Sequence, residues 1–404
     1  MSALERPLVR SGLAVAQEDR AGNHFLLWDQ LRLSDARVWL TAFELQCLER
    51  CDGSRTLREL QIDAITWTGG QIVPLHIFQG LIRKLDAGLF LDSERYRDRA
   101  NGEVRTPSCI GCYEAEAESL RRQLQRIFSG PGASGQPAAG RPDDSLRAVL
   151  VPHIDYGRGG RTYTWAFREV CERTRAELFV IIGTSHYSRH RFTLTRKHFR
   201  TPLGTVPTDQ AFIDKLVGRY GDGLFDDELM AHLPEHSIEL EVVLLHYLYE
   251  GKRSIRVVPL VVGPFQDAVD AGRPPREAAD IGRMIEALQA AERDTPEPIC
   301  YLISGDLAHI GPKFQDRRPV TERQLAHSKA QDQALLQAAA AVDPTGYFHI
   351  IADENDRRRI CGLPPTYTVL EALRPGKGKL LDYHQYVEPF GFESVSFASM
   401  AFYR

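Results

Sequence analysis

The chain is poor in cysteine, methionine and tryptophan, with 7, 4 and 4 in 404 residues. Seven cysteines cannot all pair with one another, and their density is far below that of a small disulfide-held scaffold; a reducing cytoplasm is the expected setting. A long apolar run is also missing. No stretch approaches the roughly 18–20 residues that span a bilayer, and the opening MSALERPLVRSGLAVAQEDR sets charges around a mild stretch instead of a secretory core. No membrane association is expected. Neither sign of charge dominates: Lys+Arg 50 against Asp+Glu 54 leaves −4, which argues against a protein whose main work is coating nucleic acid. Also absent are GxxxxGK[ST], GxGxxG after a strand, GxSxG and HExxH, so nucleotide-driven, nicotinamide and serine-hydrolase chemistries lose their usual signatures.

What is present is an ordinary globular mix, 43% hydrophobic and 26% charged, in a chain longer than one core usually spans. Two domains are expected, one over residues 1–105 and one over 146–404. Between them, residues 106–145 read as a connecting helix (EAEAESLRRQLQRIF) followed by a flexible Gly/Pro/Ala linker, SGPGASGQPAAGRPDD. In the first domain HFLLWDQLRLSD reads as a strand or hairpin. Thr41 and Thr56 read as helix N-caps, the second with Glu59 completing a capping box. Leu75, Phe78, Leu81, Ile82 and Leu85 share one face of a third helix that Gly88 ends before a short strand. Three short helices and a β-wing describe a small α+β winged-helix domain that resembles the PqqD-like, peptide-recognising type. DNA is the lesser reading, because acidic neighbours dilute Arg50, Arg55, Arg58, Arg83 and Lys84.

After residue 145 four β-branched apolar runs, LRAVLVPHID, ELFVIIGTSH, IRVVPLVVG and PICYLISGDLAH, alternate with helical stretches. The expectation is an α/β domain, a central sheet with helices on both faces and polar residues gathered at the strand ends. Eleven of the 13 histidines lie here, and His153, His186 and His309 each follow a strand. A sheet brings its carboxyl ends together, so imidazoles in these positions make a natural site for zinc, copper, iron or nickel. Cys361, in a Cys-Gly turn before a helix, is a fourth candidate ligand, its sulfur near a positive helix end that favours thiolate. Cys109 and Cys112 form an isolated CxxC, a possible secondary metal or redox site that lacks the second pair a zinc ribbon needs.

PHIDYG, GTSHYS, FRTPLGTVPTD, EHSIELE, SGDLAHIG and RICG, in that order from about Arg147 onward, resemble the Memo family, whose bacterial and archaeal members are described as protein B of the AmmeMemoRadiSam system. The resemblance implies the fold of class III extradiol dioxygenases and a metal pocket of His153, His186 and Cys361, with His309 and Asp306 in catalytic or supporting positions. It implies iron(II) or copper with a redox role; zinc remains possible. Asp155, Tyr156, Tyr187, Glu235 and His236 are the expected substrate-pocket residues. Ile154-Asp155 and Tyr187 depart from the usual Ala-Gly and His, so a narrower or more acidic pocket mouth is expected. Two functions follow. One is a metal-dependent redox enzyme acting on a peptide, protein or small molecule presented by the first domain, with a radical-SAM protein as partner. The other is a non-catalytic binding protein on the same fold.

Overall fold

The computed structural model describes residues 4–17, 24–138 and 142–404, and the chain divides into two compact units, Met1–Glu103 and Val104–Arg404. The first unit begins with a three-stranded antiparallel sheet in the order β1 (Leu13–Gln17), β2 (His24–Asp29) and β3 (Arg37–Thr41), followed by helices α1 (Ala42–Glu49), α2 (Leu57–Trp67), α3 (Leu75–Ala87) and α4 (Glu94–Ala100). Thr41 with Glu44, and Thr56 with Glu59, close capping boxes at α1 and α2. The turn after β2 is tied by Asp29, which accepts from the backbone N–H of Leu31, Leu33 and Ser34 and pairs with buried Arg10 at 2.8 Å. Of the α3 face expected from the sequence, Phe78, Leu81, Ile82 and Leu85 are buried in one cluster with Leu27, Leu40 and Leu60, and Leu75 is half-buried.

Strands here come before the helices, which differs from helices followed by a wing. Among the described residues no wing strand follows α3. Residues 90–92 turn back instead, with Leu91 bridging Val9 and Asp92 donating to the Leu8 carbonyl at 2.7 Å. The apolar run after Gly88 had two possible partners, and the chain's own start is the one it takes.

The second unit is a three-layer α/β/α body. In chain order it runs β4 (Val104–Arg105), α5 (Ala117–Ser129), β5 (Leu146–Val151), α6 (Tyr156–Arg173), β6 (Leu178–Thr184), β7 (Phe192–Leu194), β8 (His198–Thr201) and β9 (Gly204–Val206). It continues with α7 (Gln210–Tyr220), α8 (Glu228–His232), α9 (Glu239–Tyr249), β10 (Arg256–Val262), α10 (Gln266–Ala271), α11 (Ala279–Arg293), β11 (Ile299–Ser304) and β12 (His309–Ile310). The last elements are α12 (Glu322–Ala340), α13 (Pro344–Ala352), α14 (Leu363–Leu373), β13 (Lys377–Val387) and β14 (Ser394–Tyr403). The main sheet has the order β12-β14-β5-β11-β6-β10-β7, with β13 also on β14. Strands β5, β11, β6 and β10 are parallel, and the flanking strands β14 and β7 run antiparallel to them.

Strand periodicity explains the layers. On β6, Leu178, Val180 and Ile182 enter a cluster with residues of α7, α11 and α14, whereas Phe179 and Ile181 enter a second cluster with residues of α5, α6 and α9. Both faces are covered, so the strands are apolar throughout. The parallel arrangement points the ends of β5, β11 and β6, three adjacent strands, to one edge of the sheet.

The region read as a connector is part of this body. On α5, Leu120, Leu124 and Phe128 form an i, i+4, i+8 stripe that is fully buried in the second cluster. The stretch read as a flexible linker lies along α6 as far as Ala138. There Ser134 donates its amide to the Thr164 hydroxyl oxygen and its hydroxyl to the Thr164 carbonyl, Trp165 donates to the Gly132 carbonyl, and Ala138 N–H reaches Glu172; residues 139–141 of that stretch lie outside the described residues. Side chains of α6 supply the partners that a Gly/Pro/Ala sequence lacks.

Just ahead, Arg105 is buried and donates to Glu239 at 2.6 Å and to the carbonyls of His232 and Glu235. Glu239 also accepts from the Ser108 and Cys109 amides and the Tyr113 hydroxyl. Removing one member of a buried pair strands the other charge, at about 3–5 kcal/mol. Glu239→Gln is therefore expected to lower unfolding stability by about that amount, measured by urea titration of the full chain; an unchanged midpoint would count against the clasp.

Candidate metal centre

Two close backbone approaches assemble the site. A Cβ on Gly183, near the end of β6, would lie 2.6 Å from Ser237 Oγ, and the Ser237 hydroxyl donates to the Thr184 carbonyl at 2.8 Å. That contact brings His186, just beyond β6, to Glu235 and His236. A Cβ on Gly305, just beyond β11, would lie 2.6 Å from Gly362 Cα, and one on Gly362 would lie 2.6 Å from the Asp306 carbonyl. The Gly362 amide donates to that same carbonyl at 2.9 Å. Asp306 and Cys361 are thereby held side by side, although 55 residues separate them.

His153, His186 and His236 form the one group among the described residues whose donor atoms could hold an ion, all within 4.8 Å of one another. Nitrogens sharing an ion at about 2.1 Å stand at most about 4.2 Å apart, so a movement of less than about 1 Å lets the three share one. The His186 and His236 rings stack at 4.6 Å between centroids, and His153 meets them edge-on at 5.0 and 5.3 Å. Cys361 Sγ lies 3.2 Å from His153 Nε2, at the margin of the imidazole group. Asp306 accepts from the His153 amide at 3.0 Å, with its other oxygen 3.8 Å from His153 Nε2.

Glu235 organises the cluster from behind. It is 1% exposed and accepts from the amides of His186, His236 and Ser237 at 2.8–3.0 Å. Its Oε1 is 2.9 Å from His186 Nδ1, which fixes that nitrogen as the donor and leaves Nε2 as the lone-pair face. Burial opposes ionisation of Glu235, but His186, His236 and the amide donors outweigh it and hold the carboxyl below its ordinary value. Burial likewise disfavours the His186 cation, yet Glu235 raises its affinity for a proton above the ordinary value. His153 is pushed well down, by burial first and then by its two imidazole neighbours. Burial raises Asp306 to about 7 and lowers His309 to about 4. His153 and His309 are thus kept neutral, and Glu235 offsets the charge that His186 tends to take up, so the set brings little net positive charge against an incoming cation.

Several expectations need correction. The Cys361 thiol is pushed well up by burial and then by Asp306, so protein groups alone do not favour thiolate; α14 starts at Leu363 without a side-chain cap. Ser237 ties β6 through the Thr184 carbonyl, and Ile238 is the N-cap of α9. Tyr156 is buried, with its hydroxyl on the Leu240 carbonyl, and lines no pocket mouth. Asp155 caps α6 and pairs with Arg158, so its charge is compensated. Ile154 is 5% exposed and packs with Val395 and Phe397. Glu235 is a buried support and not a rim residue. Tyr187 is 40% exposed, as a rim position requires. His309 is set by its Nδ1, 3.1 Å from the carbonyls of Leu307 and Arg359, and by an edge-on contact with Phe314. Cys109 and Cys112 are joined in a disulfide and offer no thiolate pair to a metal.

His236 as a member of the imidazole group is what the sequence reading missed. It follows no strand, and the EHSIELE motif marked it as a substrate-pocket residue and not as a member of the ligand cluster.

Comparison with known proteins fits this architecture. The family model described as "Memo-like protein" matches residues 105–401, starting at the Arg105 clasp and so some forty residues earlier than the motifs suggest. A MEMO1 family protein of Aquifex aeolicus is 26% identical over 95% of this chain and 96% of its own length. MEMO1 family protein MK0963 of Methanopyrus kandleri is 28% identical over 74% of this chain and 99% of its own. MTH_45 of Methanothermobacter thermautotrophicus is 27% identical over 67% and 88%.

His232, four residues before His236, supplies a pH test. It is 2% exposed with Nε2 3.0 Å from the Thr193 carbonyl, and burial lowers it to about 4. Since the unfolded chain binds this proton more readily, stability is present above pH 6.5 and is lost as pH falls from there toward 4. Between pH 7 and pH 5 the loss from this residue is about 2 kcal/mol. Urea unfolding at the two values should show it, with a smaller difference in His232→Gln; equal differences would dismiss His232 as the source.

Proposed function

From the premise that this chain belongs to the Memo family, we propose that it is a metal-dependent redox protein. His153, His186 and Cys361 would hold iron or copper, with His236 as a further ligand or an exchangeable neighbour. The observation that carries this reading is three imidazoles within 4.8 Å of one another, with the Cys361 sulfur 3.2 Å from His153 Nε2. Imidazole and thiolate together select borderline and soft ions, so copper and iron suit the set better than magnesium or calcium. The bound ion would supply electron transfer and Lewis acidity. Its arrival would release the Cys361 proton, since a coordinating thiol is bound as thiolate.

The protein's own groups do the rest. Glu235 holds the His186 tautomer with Nε2 presented. Asp306, raised to about 7, can hold or give up a proton beside His153 at neutral pH. His309, lowered to about 4, is a neutral proton acceptor there. A peptide, protein or small molecule is the proposed substrate. The first unit is proposed to receive the peptide and a radical-SAM protein to be the partner, in keeping with the family's setting. No helix among the described residues is long and apolar enough to cross a membrane.

The test is metal analysis of anaerobically purified protein beside His186→Ala, His236→Ala and Cys361→Ala. Near-stoichiometric iron or copper is expected in the parent chain, with a loss in affinity of about tenfold or more in His186→Ala and Cys361→Ala. Full metal in both of these variants overturns the site. Oxygen uptake by the metal-loaded chain, with and without peptides, then separates catalysis from the binding-protein alternative.

A further inference from the structure

Residues 358–361 form a short strap beside the site, held largely by main-chain hydrogen bonds. The Arg358 carbonyl accepts from the His309 amide at 2.7 Å, and the Arg359 carbonyl from His309 Nδ1 at 3.1 Å. The Ile360 amide donates to Asp356 Oδ1 at 2.7 Å, and the Cys361 carbonyl accepts from the Thr184 hydroxyl at 2.7 Å. The strap therefore places both the His309 ring and the Cys361 sulfur. Its approach carries a conformational cost at Arg359, whose φ of 55° disfavours a long side chain; Asn355 and Asp356, at 52° and 47°, are of the types that enter this region most readily. Strain of this kind persists only when surrounding contacts over-determine it.

Those contacts converge on one side chain. Arg358 is 4% exposed and points away from the site, into α12. Its guanidinium donates to Asp332, to the Ser328 carbonyl at 3.3 Å and to Glu354 at 2.8 Å. Asp332 is fully buried, and its second oxygen accepts from the Tyr383 hydroxyl of β13 at 2.9 Å. A helix and a sheet strand thus grip the root of the strap through one carboxylate. A buried ion pair is weak evidence for stability as such, and its better-attested use is to select one arrangement among competing ones.

We propose that Arg358 and Asp332 are positioning residues that hold the 358–361 strap so that Cys361 and His309 face the imidazole cluster. The neighbouring Arg359 completes the clamp, reaching the His309 carbonyl at 3.0 Å and Asp316 at 2.8 Å. The inference rests on the reading of Cys361 as a metal ligand, and its test has one arm that does not.

The experiment uses the full chain, with Co(II) as the probe and Asp332→Asn as the variant. In the first arm, Asp332→Asn is expected to weaken Co(II) binding by about tenfold or more and to lower the sulfur-to-cobalt charge-transfer absorption relative to the ligand-field bands. Leu124→Ala, a core truncation on α5, is expected to lower the melting temperature without changing that ratio, which separates positioning from general destabilisation. In the second arm, the alkylation rate of Cys361, followed by peptide mass spectrometry without metal, is expected to rise severalfold in Asp332→Asn. Should Asp332→Asn fail to fold, Tyr383→Phe removes only the hydroxyl on Asp332 and is expected to move both readouts in the same direction by less. Parent-like cobalt affinity, absorption ratio and alkylation rate in the folded variant overturn the proposal. If the parent chain binds no cobalt, the metal reading falls, and the alkylation arm alone decides the role of the strap.

Discussion

Two close contacts at glycine decide whether this site exists. Gly305 against Gly362 joins the end of a central strand to the turn that carries Cys361, and Gly183 against Ser237 joins its neighbour to the segment that carries His236. At either junction a single methyl group would sit 2.6 Å from a non-hydrogen atom, well inside contact distance. The parallel sheet determines which strand ends are adjacent, and the glycines determine how near the loops beyond them can come. Ligand-grade side chains then meet without any of them having to lead the fold.

The electrostatics follow from the same closeness. Three imidazoles packed ring to ring cannot all be cationic, and burial further disfavours charge on His153. One carboxylate, Glu235, lies behind the group with its lone pairs committed to three amides and a ring N–H. A second, Asp306, is kept near neutrality of charge by its surroundings. Protein groups therefore bring little net charge to the centre of the cluster, and a cation is the natural counterpart to so many lone pairs.

The α/β layering was legible in the residues because buried parallel strands read as unbroken β-branched runs, and the polar residues at their ends marked the functional edge. His153 and His186 stood out by that logic, Cys361 by its turn before a helix and Asp306 through the family resemblance; Cys361 Sγ lies 3.2 Å, and an Asp306 oxygen 3.8 Å, from His153 Nε2. What escaped notice had a sparse local signal or none. Arg105 lies in a two-residue strand, and its worth depends on carbonyls more than 120 residues away. The α5 stripe is three side chains, each at a four-residue step, on a helix otherwise rich in charged and polar residues. His236 was undervalued because the reasoning favoured residues following strands, whereas a glycine contact draws it in. In the first unit, the choice of partner for the run after Gly88 was a tertiary decision that local sequence does not contain.

The clasp of Arg105, Ser108 and Tyr113 on Glu239 bears on where the second unit can be cut free. Any shortening of the chain has to leave the segment from Val104 onward intact, because Glu239 and the carbonyls of His232 and Glu235 are fastened by it. The place to divide the chain is accordingly near residue 103, where the two units part, and not in the glycine- and proline-rich stretch that looks at first like the natural join.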